Sequence, residues 1–362
     1  MTSHGYAQRV LLGLAAAVVV LAGIHGARGV LGPLALGAVV TVIVHPIRFP
    51  LERRGWPRWA ATSTVVVTGW LVVVAIVGLC AYAIAQFASM VVDYRPELQA
   101  ALDDLMSWLA SVGLDSTATD AASRAVDPAN LVSFAASLGS SVLAVAGALF
   151  VVFAYVLFMS ADGARYARAD EVYGSERAVT LERTARYTSG VRRYYVVSAT
   201  FGAIVAVLDG LALWWLGVPA PVVWAILAFV TNFIPNVGFV IGLIPPAILG
   251  LVVGGWPMML AVIAVYCVVN VVLQVLVQPK FVSDAVDLSL TLSFVSVTFW
   301  TFVIGPIGAI LSIPMTLLVR ALFLEPDPSV RWLRWLSGDN TAVPVTTVEE
   351  RDLVDVAEEP GA

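Results

Sequence analysis

Long runs of apolar residues alternate with short polar segments along this chain, and within each run the apolar residues occupy every face. The run "TVVVTGWLVVVAIVGLCAYAIA", which begins at Thr64, is typical. Strands of a membrane barrel would instead alternate apolar and polar residues over about ten residues. The runs therefore predict helices that cross a hydrocarbon core of roughly 30 Å. We predict six such helices, at residues 9–26, 29–46, 60–91, 133–159, 196–216 and 257–277.

Two further apolar regions, 222–254 and 288–323, contain prolines and glycines that a simple membrane-spanning helix would avoid. Each predicts two helical arms joined at a bend, and arms of roughly 12 to 18 residues are marginal for a full crossing. Short, Pro/Gly-broken segments in both halves of a transporter are a sequence indicator of its binding site. The residues that we single out are Pro235, Gly238, Gly242 and Pro245 in the first region and Gly305 and Pro306 in the second.

The predicted fold is therefore an all-α polytopic membrane protein. It has about six spanning helices, two Pro/Gly-broken hairpins that are either re-entrant or fully spanning, and a small extracytoplasmic helical insert. Composition agrees, since 60% of the residues are hydrophobic, 12% are charged and the mean hydropathy is +0.90, whereas soluble domains carry roughly 25% charge. The run at 10–24 has the alternative of a signal peptide, but a second run follows it almost directly, as in a helical hairpin.

The distribution of arginine predicts the orientation in the membrane, because cytoplasmic loops are enriched in Lys and Arg. Arginines concentrate in the loop 47–58 and in the linker 161–195. Both segments are therefore predicted to be cytoplasmic, which places the acidic insert 93–132 outside and both termini inside. The region 222–254 then begins and ends outside, and 288–323 begins and ends inside, so the two hairpins enter from opposite sides.

The chain accordingly divides into six regions. They are the N-terminal helices 1–92, the extracytoplasmic insert 93–132, a transmembrane helix 133–160, the arginine-rich cytoplasmic linker 161–195, the C-terminal transmembrane region 196–325 and a tail 326–362. From Ser337 onward the sequence is polar and acidic with little to bury, so we predict a largely disordered cytoplasmic tail. The linker is expected to contact anionic lipids; nucleic acid is not an expected partner, because the linker also carries acids and is tethered between helices.

Asp209 lies deep in the predicted span 196–216. An ionisable side chain there costs at least roughly 2.5 kcal/mol on insertion scales unless it is paired or hydrated, so such residues mark ion and substrate pathways. The alternative is a structural role, in which the carboxylate lies near the outer interface and pairs or reaches water. We take Asp209 as a candidate for the transport path.

Asparagines flank the first predicted bend. Asn232 and Asn236 either contact a solute or ion together with unwound carbonyl groups, or cap the ends of the two arms. We expect Pro235 and Pro245 to shape a cavity rather than to touch its contents. The glycines of the returning arm recur at four-residue multiples, which favours close helix packing, with a pore lining as the second interpretation.

A stripe of amides follows on the helix 257–277. Asn270, Gln274 and Gln278 recur every four residues and are predicted to share one face. That face is either a wet path or a hydrogen-bonded contact with a neighbouring helix. Lys280 comes directly after it, at the predicted cytoplasmic mouth.

The segments "FVTNFIPNVGFVIGLIPPAIL", "VQPKFV" and "GPIGAILSIPMTLLVRAL", in this order and spacing, resemble the AI-2E family of bacterial inner-membrane transporters, the autoinducer-2 exporter family. The likeness covers nearly the whole chain. It departs at Ser283 and Ser289, near places where the family usually has glycine and proline, and at Asn236, where an aromatic residue is usual. The resemblance implies export of small polar molecules such as autoinducer-2, cation/proton exchange in some members, and assembly as a homo-oligomer.

Sequence motifs for other chemistry do not occur. There is no GxxxxGK[ST], HExxH or GxSxG motif, the three histidines lie apart, and the two cysteines lie in apolar runs without metal-ligand spacing. We therefore expect no enzyme activity, metal or cofactor. The expected partners are membrane lipids, a small polar solute or ion, and other copies of the chain. The alternative to transport is a membrane scaffold or a lipid-handling protein, which gives no reason for broken helices and a carboxylate in the bilayer.

Overall fold

The computed structural model describes residues 3–94, 96–97, 99–100, 107, 133, 137, 150–163, 166, 169–235, 237–278, 288–339 and 342. All regular secondary structure in these ranges is helical, which confirms the predicted all-α fold. Among these described residues, five helices are long and apolar enough to span a membrane: Arg28–Arg53, Arg58–Met90, Glu176–Leu216, Gly238–Gln274 and Pro306–Leu324. Most of the predicted insert 93–132, and most of 133–149, lie outside the described residues.

The N-terminal half forms helices α1 to α5. Their bounds are Ser3–Gly26 for α1, Arg28–Val44 for α2, Arg48–Arg53 for α3, Arg58–Asp93 for α4 and Phe150–Gly163 for α5, with a 3-10 turn His45–Ile47 between α2 and α3. The first three predicted spans therefore correspond to α1, α2 and α4. A glycine brings three of these helices together, because a methyl group at Gly69 of α4 would lie 3.2 Å from Val156 of α5 and 3.3 Å from Val40 of α2.

Helix α6 runs from Ala169 to Leu216, 48 residues with a kink at Arg177, which corresponds to roughly 72 Å. Most of the predicted linker 161–195 is thus helical and continuous with the predicted span 196–216. Arg186 pairs with Glu182 one turn before it at 2.9 Å, a contact that supports helix in this charged stretch. Asp209 is therefore carried by one long helix and not by a loop.

The first broken region forms α7, Pro221–Thr231, and α8, Gly238–Asn270, which continues as a π-helical segment Val271–Val277. The chain breaks between α7 and α8 and again at Gly255, which has a φ of 66°. Pro257 follows two residues later. A methyl group at Gly250 would lie 3.3 Å from Val262, so the arms 238–254 and 256–270 of α8 run antiparallel. Helix α7 has 11 residues, roughly 16 Å, which is shorter than a hydrocarbon core of about 30 Å.

The second broken region forms α9, Leu290–Ile304, and α10, Pro306–Val319, followed by a π-helical segment Arg320–Leu324. Gly305 joins them with a φ of 87°, a conformation that favours glycine. Hydrogen bonds tie the two arms together: the indole of Trp300 donates to the Thr316 hydroxyl at 2.9 Å, and the hydroxyls of Ser296 and Thr316 are 2.8 Å apart.

The chain after α10 is more ordered than the sequence predicts. A 3-10 turn Pro328–Val330 leads into α11, Arg331–Leu336. The carboxylate of Asp339, which is 2% exposed, pairs with Arg334 at 2.6 Å, and the Ser337 carbonyl accepts a hydrogen bond of 2.8 Å from the Ser289 amide. These contacts hold residues 337–339 against the start of α9; most of the remaining tail lies outside the described residues, so the largely disordered tail stays a prediction.

The two hairpins meet beside α6. Phe233, at the first break, belongs to the same buried cluster as Leu311 of α10. Tyr195 of α6 bridges them: its hydroxyl donates to the Ile310 carbonyl at 2.9 Å, and its ring lies 6.2 Å from that of Phe233. The tips and arms of both broken regions thus share one core.

Candidate functional site

Asp209 is fully buried in the middle of the protein. Its side chain is 0% exposed, and neither carboxylate oxygen has a hydrogen-bond partner among the described residues. The hydroxyl of Tyr266, on the arm 256–270, is likewise buried without a partner there. A buried carboxylate is costly unless it is neutralised or hydrated. The structure therefore places this carboxylate inside the protein and out of direct contact with solvent.

An amide network lies next to Asp209. The Gln274 amide donates to Oδ1 of Asn232 at 2.9 Å and to Oδ1 of Asn270 at 2.6 Å. The Asn232 amide in turn donates to the Ser198 carbonyl of α6 at 2.8 Å, and Asn270 donates to the Tyr266 carbonyl at 2.8 Å. The network connects three elements, which are α6, the first break and the helix that ends in the π-helical segment. Together they fix the positions of the side-chain oxygens of Asn232 and Asn270.

A small cavity separates the carboxylate from the network. Its volume is about 10 Å³, which is close to the minimum of roughly 10–15 Å³ that one water molecule needs. Asp209 is the one charged residue among those described around it. The lining consists of Val205, Asp209, Ala228, Thr231, Asn232, Phe239, Gly242, Tyr266, Asn270 and Gln274.

Glycines allow the polar groups to approach. A methyl group at Gly202 of α6 would lie 2.9 Å from the Asn232 amide nitrogen, and one at Gly242 would lie 3.0 Å from the Thr231 hydroxyl. At Gly238 it would overlap the Thr231 carbonyl. The packing interpretation of these glycines is therefore supported, and Gly242 also lines the cavity.

Two prolines remove amide hydrogens beside the cavity. Pro245 and Pro246 lie inside the arm 238–254, and a proline cannot donate to the carbonyl four residues earlier. The carbonyls of Ile241 and Gly242 therefore lose their usual helical donors. Of these two residues, Gly242 also lines the cavity.

The structure brings five of the predicted site residues to this cavity: Asp209, Asn232, Gly242, Asn270 and Gln274. Gly238 packs beside it against Thr231, and Pro235 lies in the break between α7 and α8. Pro245 points to the opposite side of its arm, where it lines a separate apolar groove. Its expected role in shaping the polar cavity is thus limited to the backbone.

The remaining predicted residues do not reach the cavity or are not described. Gln278 directly follows the π-helical segment, and its main-chain N–H donates to the Leu273 carbonyl at 2.7 Å. Its side chain is not among those that line the cavity. Gly305 and Pro306 lie at the second bend, away from the cavity lining. Asn236 and Lys280 lie outside the described residues.

Sequence reasoning missed Tyr266, Thr231 and Ser198. Tyr266 precedes Asn270 by four residues, so the stripe of polar side chains begins one turn earlier than we predicted. We did not single out Tyr266, because it is an aromatic residue within an apolar run. Ser198 contributes its main-chain carbonyl, which no side-chain pattern indicates, and Thr231 gave no signal because hydroxyls in spanning helices usually bond within their own helix. The Thr231 hydroxyl does so here, donating to the Leu227 carbonyl at 2.9 Å.

Comparison with known proteins identifies the class. A family model described as "AI-2E family transporter" matches residues 14–325, so the protein is a multi-pass transporter of the bacterial inner membrane. The chain belongs to the AI-2E family, as the sequence motifs predicted. It is 28% identical to the AI-2 transport protein TqsA of Escherichia coli K12 over 323 residues, 88% of this chain and 92% of that protein.

Two further relatives are similar over most of their lengths. The putative transport protein YhhT of Escherichia coli K12 is 28% identical over 307 residues, 85% of this chain and 88% of that protein. The putative transport protein MT0215 of Mycobacterium tuberculosis CDC 1551 is 24% identical over 323 residues, with 85% and 86% covered. The range matched by the family model, 14–325, contains both hairpins and the position of Asp209.

Proposed function

We propose that this transporter moves a small polar solute, of the kind named for its relative TqsA, and that a proton or a small monovalent cation bound at Asp209 couples the movement. The observation that carries the proposal is the buried carboxylate with neither oxygen paired among the described residues, beside a cavity of one water's size. A single negative charge is neutralised by a single positive one, which removes the cost of keeping a carboxylate in the bilayer.

The groups around Asp209 suit such a cation. Hard cations prefer oxygen ligands, and the residues that line the cavity with Asp209 include Asn232, Asn270 and Tyr266, each of which carries a side-chain oxygen. The oxygens of Asn232 and Asn270 accept hydrogen bonds from Gln274, so a bound cation would replace these bonds. A proton needs only the carboxylate as its binding group. Whether the bound ion is a proton or a small monovalent cation, we expect it to bind and leave Asp209 once in each transport cycle.

The solute path is proposed to pass the first break. Freed backbone groups at membrane depth must face protein, water or solute, and the segment between Thr231 and Gly238 is the longest non-helical segment between two described arms of a hairpin. Asn232, in this segment, also belongs to the amide network. A solute that displaces the hydrogen bonds of Asn232 would therefore change the surroundings of the cation site, and this links solute movement to cation binding.

The decisive experiment measures solute uptake and release in proteoliposomes with and without an imposed pH or sodium gradient. Asp209→Asn removes the charge and keeps the shape, so gradient-dependent flux should fall to the level of protein-free vesicles while folded protein is still recovered. Asp93→Asn is the matched control, since Asp93 is an exposed acid at the end of α4. Gradient-dependent flux that survives Asp209→Asn removes this residue from the mechanism.

We further propose that the first hairpin is re-entrant and that the second crosses fully. The short α7 supports the first statement. For the second, the Phe302 carbonyl near the bend lies 3.0 Å from Nδ1 of His25 in the last turn of α1, and that end of α1 is predicted to face outside.

Single cysteines test this topology in a Cys80→Ala, Cys267→Ala background. Asn236→Cys should react with membrane-impermeant maleimide from either side, because an alternating path opens the first break in turn. Pro306→Cys should react from outside alone. Reaction of Asn236→Cys from the cytoplasmic side alone contradicts the re-entrant first hairpin.

A further inference from the structure

A second cavity lies on the other side of α7 from Asp209. It is a groove between α4, α7 and the arm 238–254, with a volume of about 380 Å³. Its lining carries no charged side chain, and Phe87, Trp224, Leu227 and Ile248 are representative. Helix α4 is long and apolar enough to cross the membrane, and α7 and the arm 238–254 pack beside it with apolar side chains, so the groove lies at the depth of lipid chains.

The dimensions of the groove match an alkyl chain. A cavity of about 150 Å³ lined by apolar residues binds benzene, and this groove has about two and a half times that volume. It follows the arm from Ile241 to Val252, roughly 16 Å at 1.5 Å per residue. The length and volume of the groove therefore suit one unbranched alkyl chain.

Tyr94 marks the end of the groove at which the headgroup of a bound lipid would lie. Tyr94 lines the groove directly after α4 ends at Asp93, and tyrosines favour the membrane interface, where the ring is buried and the hydroxyl is hydrated. The rest of the groove extends away from this end into apolar surface. We propose that the groove binds one acyl chain of a membrane phospholipid whose headgroup lies near Tyr94.

The bound acyl chain would pack against α7 and the arm 238–254, which lie between the groove and the cavity beside Asp209. Helix α7 presents Trp224 and Leu227 to the groove and Ala228 and Thr231 to the polar cavity. The arm 238–254 does the same, with Ile244 on the groove and Gly242 on the cavity. On this side α7 packs against α4 through Trp224 and Phe87, whose rings lie 5.9 Å apart, and a bound chain would fill the space that this contact leaves open. The lipid is thus a structural ligand of the element that carries the first break.

The test uses the full-length protein in nanodiscs of phosphatidylethanolamine and phosphatidylglycerol, with a small fraction of phosphatidylethanolamine that carries a diazirine in one acyl chain. After illumination, mass spectrometry should place the labelled peptides at 80–94, 223–230 and 241–252, several-fold above other lipid-facing segments. Ile244→Trp fills the groove and should reduce this labelling several-fold. Val253→Trp, on the same arm but outside the groove lining, should leave it unchanged.

A second measurement does not depend on a bulky variant. Cys267→Ala leaves Cys80, which lines the groove, as the sole thiol. In detergent, added phospholipid should slow the reaction of Cys80 with N-ethylmaleimide several-fold, whereas a headgroup analogue without chains should not. Labelling spread evenly over all lipid-facing helices, or crosslinks between two copies of the chain across the groove, would overturn the proposal, as would Cys80 reactivity that lipid does not change. None of these readouts requires transport, so they stand apart from the function proposed for Asp209.

Discussion

The two broken hairpins have similar Pro/Gly patterns but differ in what lies at their breaks. The first breaks over the residues between Thr231 and Gly238 and faces a cavity with a buried carboxylate and three amides. The second turns at the single residue Gly305, and its arms are joined by hydroxyl and indole hydrogen bonds around Thr316. The first hairpin thus keeps polar groups available for a ligand, while the second uses them to bind its own arms together.

The difference teaches that a proline and glycine pattern predicts a break but not what the break does. In the first hairpin, helices outside it supply the chemistry, namely Asp209 from α6 and Gln274 from the π-helical segment. In the second, the partners of the polar side chains lie within the hairpin itself. We therefore interpret the first hairpin as the moving or ligand-binding part and the second as its support.

The largest expected loss of stability comes from adding one methyl group at the closest approach of each hairpin. Gly238→Ala and Gly308→Ala would each place Cβ against a main-chain carbonyl, that of Thr231 and that of Trp300 respectively. Overpacking costs about 1–3 kcal/mol and occasionally more, and backbone gives way less than side chains do. Both variants should show a lower thermal unfolding temperature in detergent, with the rigid second hairpin affected more.

Gly13→Ala is the control, because nothing lies within 4 Å of a methyl group at that position of α1. An equal or smaller effect at Gly308 than at Gly238 would contradict the assignment of the second hairpin as the rigid support.

A smaller loss of stability, with a clear loss of flux, is expected for Gln274→Leu. The change leaves Oδ1 of Asn232 and of Asn270 without the amide donor seen in the structure, and an unsatisfied buried polar group costs about 1–3 kcal/mol. Gradient-dependent flux should fall strongly. Gln278→Leu, outside the cavity, should retain flux. Similar flux in both variants would show that the amide network does not take part in transport.

The smallest effect is expected for Thr316→Val, which keeps the shape of the side chain and removes the hydroxyl that joins the arms of the second hairpin. Hydrogen bonds between membrane helices average about 0.6 kcal/mol and reach about 1.7, so the unfolding temperature should fall by a few degrees at most. Flux should be unchanged once the amount of folded protein is equal. A loss of flux without a loss of stability would mean that the second hairpin has a direct role in transport.

Sequence reasoning located most of the spans, both breaks and five of the residues around the polar cavity, because each has a local cause. Apolar runs must be helical in lipid, and Pro235 or Gly305 interrupts a helix wherever it folds. The prediction was less accurate where a side chain's direction depends on distant residues. Pro245 lines the apolar groove, and Gln278 does not line the polar cavity that Asn270 and Gln274 share.

The sequence alone specifies where this chain enters the bilayer, where its helices break and which side chains are too polar for lipid, since these follow from transfer free energy and backbone hydrogen bonding within each segment. Tertiary packing decides which of those polar groups meet. Asp209 and Gln274 are 65 positions apart in the sequence, yet they line the same cavity because Gly202, Gly238 and Gly242 let the first break pack closely against its neighbours. Such close approach depends on surfaces from several helices at once, and no single segment of sequence contains them.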